Sequence, residues 1–308
     1  MVMKKMEILA GILTLIVMCV SGSVRAQENV DFDKVVIKTT KVTDGIYVLE
    51  GSGGNITVFT GPEGALLVDS QSSQLYDKIA EAVAKISNQP IRFLIDSHFH
   101  GDHTGGNEAM SKHGVVVFAH ENVRKRLSEG RAASGATPAI APSPKEALPL
   151  VTFKDGITIH LNGEEISVIH PGLATIDGDS FVYFRRANVI SVGDLPGALR
   201  YVAADATAQG TIDRQIVAAK QILNTANPDT KIVPGHGAPV ITTKDARDHY
   251  DMLVAVRDRV MASIREGKTL DQVVASKPTA DFDERHKGGP APDGFVKGVY
   301  ADLSRQVR

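Results

Sequence analysis

Between Val36 and Ser70, apolar residues fall in short branched runs: Ile46-Tyr47-Val48-Leu49, Ile56-Thr57-Val58-Phe59 and Ala65-Leu66-Leu67-Val68. Gly51-Ser52-Gly53-Gly54-Asn55 and Gly61-Pro62-Glu63-Gly64 separate them, a pattern that predicts a meander of strands joined by hairpins. The period then changes. Ile79, Val83 and Ile86 recur at helical spacing and predict an amphipathic helix over Leu75 to Ile86. Ile91-Arg92-Phe93-Leu94-Ile95 after it reads as a buried strand, followed by a short helix from Asn107 and a strand at Val115 to Phe118. His120, just beyond, reads as a polar residue at a strand end.

The segment Gly130 to Pro149 is rich in Ala, Gly, Ser and Pro and has no periodicity, so it predicts a long loop, a candidate flap over a site around Thr137 to Lys145. Strands follow at Ile157 to Leu161, Ile166 to Ile169, Phe181 to Phe184, Val189 to Val192 and Lys231 to Val233. Helices are predicted over Ile212 to Thr225, Lys244 to Glu266, Leu270 to Ala275 and Phe295 to Val307. Both halves run from strands to helices. The expected architecture is therefore mixed α/β (α+β), two sheets face to face with helices outside.

Composition adds a compartment. Of 308 residues, 43% are apolar and 23% charged, ordinary for a soluble globular chain. Residues 1–26 differ: Lys4 and Lys5 precede the apolar stretch Ile8 to Val20, and Val24-Arg25-Ala26 offers a peptidase site, which together predict a signal peptide and a periplasmic or secreted protein. The apolar run is short for a membrane span, and no second one follows. The only cysteine, Cys19, lies inside this segment; Ile16-Val17-Met18 before it makes a poor lipobox, so lipidation is the lesser expectation. The expected organisation is thus a signal peptide at 1–26 and one domain at 27–308 with C-terminal helices. Its mature form has no cysteine, hence no disulfide and no thiolate ligand or nucleophile. Cleavage removes three basic residues and one acidic one, taking the formal charge from -2 to -4. Nothing in that balance points to nucleic acid; the expected partner is a small-molecule substrate, and oligomeric state is unreadable.

The chemistry gathers at His98-Phe99-His100-Gly101-Asp102-His103, four candidate metal ligands in six residues at the end of the strand Ile91 to Ile95. In an extended segment His98 and His100 share one side, so two imidazoles can grip one ion. Asp102 and His103 follow at the turn and can serve a second ion close by. Two later residues also close strands: Asp194 in Gly193-Asp194-Leu195-Pro196 and His236 in Pro234-Gly235-His236-Gly237. Imidazole with carboxylate suits zinc among several divalent metals.

Taken together, the Gly54-Asn55 hairpin, HFHGDHTGG, DGDS, VGD and PGHG, in this order and spacing, resemble the metallo-β-lactamase superfamily over nearly the whole mature chain. The resemblance implies a four-layer αββα sandwich with a binuclear site, usually zinc, at one edge of the sheets. It implies His98 and His100 on the first metal, Asp102, His103 and His236 on the second, and Asp194 bridging. The implied activity is hydrolysis of an ester, thioester, lactone or β-lactam amide by hydroxide held between two metals, with Asp102 orienting it and passing its proton to the leaving group. A glyoxalase II-like thioester hydrolase is one form of this. One position departs: where members commonly read His-Thr-Asp-Gly-Asp-Ser, this chain reads Thr175-Ile176-Asp177-Gly178-Asp179-Ser180. The third histidine of the first site falls on Thr175, which implies up to two metals with the first held weakly. His170, five residues upstream, is too far to replace it without a fold-back. The alternative is a degenerate member that binds without turnover.

Overall fold

The fold is seen in a computed structural model that describes residues 30–132, 139–196, 199–287 and 289–307. The predicted signal peptide, Cys19 and the middle of the predicted flap, including Thr137, lie outside the described residues. Among the described residues the strands form two sheets. The first takes β1 (Lys38–Thr43), β2 (Ile46–Glu50), β3 (Ile56–Phe59), β4 (Ala65–Val68), β5 (Ile91–Ile95), β6 (Val116–His120) and β7 (Val151–Phe153) in that spatial order. It is antiparallel from β1 to β4 and parallel from β4 to β7. The second holds β8 (Gly156–Leu161), β9 (Glu164–Ile169), β10 (Phe181–Phe184), β11 (Val189–Gly193), β12 (Lys231–Pro234) and β13 (Ile241–Thr242), again in spatial order, with β11 and β12 parallel.

Strand alternation sorts the apolar side chains into layers. Leu66 and Val68 of β4 point between the sheets, where they meet Val168, Val182 and Phe184 of the second sheet. Ala65 and Leu67 point outward with Leu94 and Val117, onto Leu75, Ile79 and Val83 of the segment leading into and along α1 (Tyr76–Ala84) and Met110 of α3 (Asn107–Lys112). On the other side Phe181, Ile190 and Ile232 pack under Ala218 and Ile222 of α5 (Ile212–Thr225) and Ala246 of α6 (Thr243–Arg265). Helix α7 (Leu270–Ala275) and α8 (Pro292–Ser304) add Val273, Phe295 and Val299 to a further cluster on α6. The order helix, sheet, sheet, helix is the four-layer sandwich expected. A buried hydrogen bond from Thr57 Oγ1 to Ser191 Oγ, 2.9 Å, spans the two sheets.

The differences from the sequence reading are local. Helix α4 (Glu121–Glu129) was unmarked because Val123 is its only buried residue and its other positions are polar. His120 is more than a strand end: its Nδ1 accepts the backbone N–H of Asn122 at 3.2 Å and caps α4. Strands β7 and β13 are too short to show a period. Among its described residues the expected loop after Gly130 carries a bridge, Arg131 to Ile140, and a 3-10 turn at Lys145–Ala147.

Candidate metal centre

Strands β4, β5, β11 and β12 all point their carboxyl ends at one edge, because each pair is parallel. Just past those ends lie Asp69, His98, Asp194 and His236 in turn. His98 and His100 meet as expected, Nε2 to Nδ1 at 3.0 Å, but past the end of β5 rather than along an extended strand. Asp102 and His103 sit in a one-turn helix, α2 (Gly101–Thr104), directly after His100.

His103 Nε2 is the centre of the cluster. It lies 3.2 Å from His236 Nε2, 3.7 Å from Asp102 Oδ2 and 3.6 Å from Asp194 Oδ1. His236 Nε2 in turn is 3.1 Å from Asp102 Oδ2 and 3.4 Å from Asp194 Oδ1. Two groups of three donors lie mutually within 4.8 Å: Asp102, His103 and His236, and His98, His103 and Asp194. His98 Nε2 reaches Asp194 Oδ2 at 4.0 Å, and His100 joins through His98 and belongs to neither group of three.

A carboxylate absent from the sequence reading orders the rings. Asp69 follows the fully buried β4 and accepts the backbone N–H of Ser97 at 2.7 Å and its hydroxyl at 2.8 Å. With its one proton donated to Asp69, the Ser97 oxygen accepts from His98 Nδ1 at 3.0 Å, so His98 Nε2 is left bare toward the cluster. Asp69 Oδ2 also takes the Nδ1 proton of His103 at 2.8 Å, which leaves His103 Nε2 inward as well. Asp69 stands at φ 70°, a left-handed backbone uncommon for a residue with a side chain. A second carboxylate missed from sequence, Asp205, faces His100 Nε2 at 3.9 Å, the ring nitrogen turned away from His98. The available signal was an acidic residue just past a buried strand for Asp69; Asp205 had none.

Glycine makes two of these approaches possible. A Cβ on Gly54 would stand 2.4 Å from the His103 ring, and one on Gly193 2.4 Å from Ser97 Oγ. The hairpin Gly53 to Asn55 is held against the site by Gly54 N–H to Asp102 O and by Asn55 Nδ2 to Pro234 O, both 2.9 Å.

The electrostatics suit a cation. Burial holds the proton affinity of His98 well below the ordinary range, and the neighbouring histidines add to this, so it is a neutral ligand. Burial also works against charge on His103, but Asp69, Asp194 and Asp102 outweigh it and push its pKa up to about 10. Burial works against ionisation of Asp102, yet the hydrogen bond to His236 and the charge of His103 keep its carboxyl below the usual carboxylate range. Burial raises Asp179 to about 7, against the backbone N–H of Ile176, which donates to it at 2.8 Å. Inward-facing imidazole nitrogens beside carboxylate oxygens fit a divalent cation, with a proton on His103 as its competitor.

Thr175 lies at the edge of the site without offering a ligand. Its hydroxyl donates to Asp194 O at 3.3 Å and accepts from Gln215 Nε2 at 3.3 Å. His170 does not fold back: it stacks on His120 at 4.0 Å between ring centroids and pairs through Nδ1 with Asp179 O.

Several solved structures share this fold. A metallo-beta-lactamase from Pontibacter korlensis is similar at 20% identity with a TM-score of 0.59, over 71% of this chain and 99% of its own. The DIM-1 metallo-beta-lactamase is similar at 18% identity and a TM-score of 0.57, with the same shares. The stereoselective inverting sec-alkylsulfatase Pisa1 from Pseudomonas sp. is similar at 19% identity and a TM-score of 0.65, over 86% of this chain and 50% of its own, so the chain spans about half of that enzyme's length. No curated protein matches this sequence. The sequence profile of the metallo-beta-lactamase superfamily matches residues 49–257, from within β2 to within α6, and so takes in every residue of the cluster. The chain belongs to the metallo-beta-lactamase superfamily.

Proposed function

We propose that this protein is an exported metal-dependent hydrolase acting on an ester, thioester, lactone or β-lactam carbonyl. The observation that carries the reading is His103 Nε2, turned inward and within 4 Å of Asp102, Asp194 and His236 while Asp69 holds its other nitrogen. Divalent cations, zinc by the character of the donors, supply there a nucleophile from water at neutral pH and a Lewis acid for the carbonyl. Asp102, His103 and His236 with Asp194 would hold one ion; His98, His100 and Asp194 would hold another more weakly.

Asp102 is the candidate catalytic residue. Its side chain is 43% exposed, the most open of the cluster, so it is the ligand best placed to orient an attacking water and pass its proton toward the leaving group. Solved relatives of this fold named as lactamases and as a sulfatase favour hydrolysis over other chemistries. Export rests on the predicted signal peptide; no helix among the described residues is long and apolar enough to cross a membrane.

One observation favours a second reading, a binding protein without turnover: the Thr175 hydroxyl is occupied by Asp194 O and Gln215. Elemental analysis of the purified protein and of Thr175→His, with turnover of a chromogenic β-lactam and a thioester in both, separates the two. We expect at least one bound zinc and measurable hydrolysis in the natural chain, with more metal in the variant. Metal-loaded natural protein that hydrolyses neither substrate, beside an active variant, would instead establish the binding role.

A further inference from the structure

A cavity of about 520 Å³ opens beside the metal centre, within the size range of small-molecule sites. His100, Thr207, Phe99, Leu127, Ile140 and Ala141 line it, and His100 also belongs to the cluster. Gly101, also on its wall, has nothing within 4 Å of where a Cβ would stand, so the wall is open next to His100. The charges on this wall are met within the protein. Arg126 donates twice to Asp177, at 2.7 Å each, and lies over the Phe99 ring at 5.2 Å. Glu108 pairs with Lys112 at 2.6 Å, and Arg131 has an interaction of its own within the protein.

We infer that this cavity receives the apolar arm of the substrate, so that the substrates are esters or thioesters with an alkyl chain of several carbons. The inference rests on the hydrolase reading and names its substrate class. A cavity whose Arg126 and Glu108 are already paired gains little there from a second charged group, whereas each methylene moved from water onto Phe99, Leu127 and Ile140 adds affinity. Because His100 belongs to both the lining and the cluster, a chain seated there lies beside the metal centre. In the reaction water's oxygen joins the acyl carbon, the bond from that carbon to oxygen or sulfur breaks, and the departing alcohol or thiol takes the proton.

The test uses zinc-loaded protein with 4-nitrophenyl esters from acetyl to decanoyl, and separately calorimetric binding of decanoate against acetate. Two variants occupy the wall at exposed positions, Ala141→Phe and Ile140→Asp. We expect kcat/KM to rise about threefold per methylene over the first several carbons, and both variants to flatten that slope. A flat profile in the natural protein, or an unchanged slope in both variants, overturns the inference even when hydrolysis itself is robust. Absence of any turnover, with decanoate binding more tightly than acetate and losing that advantage in both variants, defeats the hydrolase reading and leaves the apolar site standing. Decanoate binding no tighter than acetate overturns the site whatever the turnover.

Discussion

Asp69 Oδ2 and His103 Nδ1 are 2.8 Å apart, both fully buried, and that one contact joins the end of β4 to the middle of the metal-ligand motif. The same oxygen takes the Ser97 hydroxyl proton, so a single carboxylate decides which nitrogen two imidazoles turn inward. Replacing Asp69 by Asn removes the charge and one acceptor oxygen. Zinc affinity, read by competition with a chromogenic chelator, should fall about 10- to 100-fold. Unchanged affinity would mean that the ring orientation is set elsewhere.

Asp205 holds His100 from the opposite side, Oδ2 to Nε2 at 3.9 Å, while its Oδ1 takes the N–H and hydroxyl of Thr207 at 2.8 and 2.6 Å. Asp205→Asn keeps the Thr207 contacts available and loses the charge facing His100. The weaker of two zinc-binding steps should weaken about tenfold, with a changed tautomer of His100 in nitrogen NMR. A loss confined to the tighter step would assign Asp205 a different role.

The pH dependence of the metal-free protein follows from His103. Its pKa is raised from 6.5 to about 10, so its proton stabilises the fold fully below pH 6.5, and that contribution disappears as pH rises through about 10. Urea midpoints measured with chelator present should therefore drop between neutral pH and pH 10. Zinc takes the proton's place, so the loaded protein should show a shallower drop; parallel curves would rule out His103 as a ligand.

Burial lowers the pKa of His286, whose ring stacks on Tyr201 at 5.6 Å and faces His249 at 5.4 Å. A depressed histidine contributes stability that is present above pH 6.5 and lost as pH falls toward the folded pKa. His286→Gln should lessen the loss of thermal stability between pH 6.5 and pH 5, followed by calorimetry. An identical acid slope would place the acid-sensitive group elsewhere.

Leu253 on α6 is 1% exposed and belongs to the cluster that joins α5, α6 and α8. Leu253→Ala should cost about 2–5 kcal/mol in unfolding free energy while leaving zinc affinity within twofold, since no ligand is carried by α6. A matching loss of zinc would show that the outer helical layer also positions the site.

Much of the sandwich was legible in the chain because its strands are short, branched and bounded by Gly and Pro, and its long helices keep an apolar stripe. α5 was read at the bounds it has, and α6 within one residue at each end. What stayed hidden has no local pattern: α4 is polar on nearly every face and owes its start to His120, while β7 and β13 exist through pairing with β6 and β12. The six candidate ligands were legible as residue types at strand ends, and the structure brings all six to one edge.

Local composition by itself determined which residues can bind metal, since donor chemistry belongs to the side chain, and it determined that position 175 lacks an imidazole. Which ring nitrogen faces inward, which donors stand within 4.8 Å of one another, and that the Thr175 hydroxyl is spent on Asp194 and Gln215 were decided only by the tertiary structure. The reason is physical. Asp69 lies 34 residues from His103, and Asp194 lies 91 residues from His103 by their numbers, so no periodicity of a single element relates them. Only the parallel pairing of β4 with β5 and of β11 with β12, and the packing of the two sheets between them, turns those separations into distances under 4 Å.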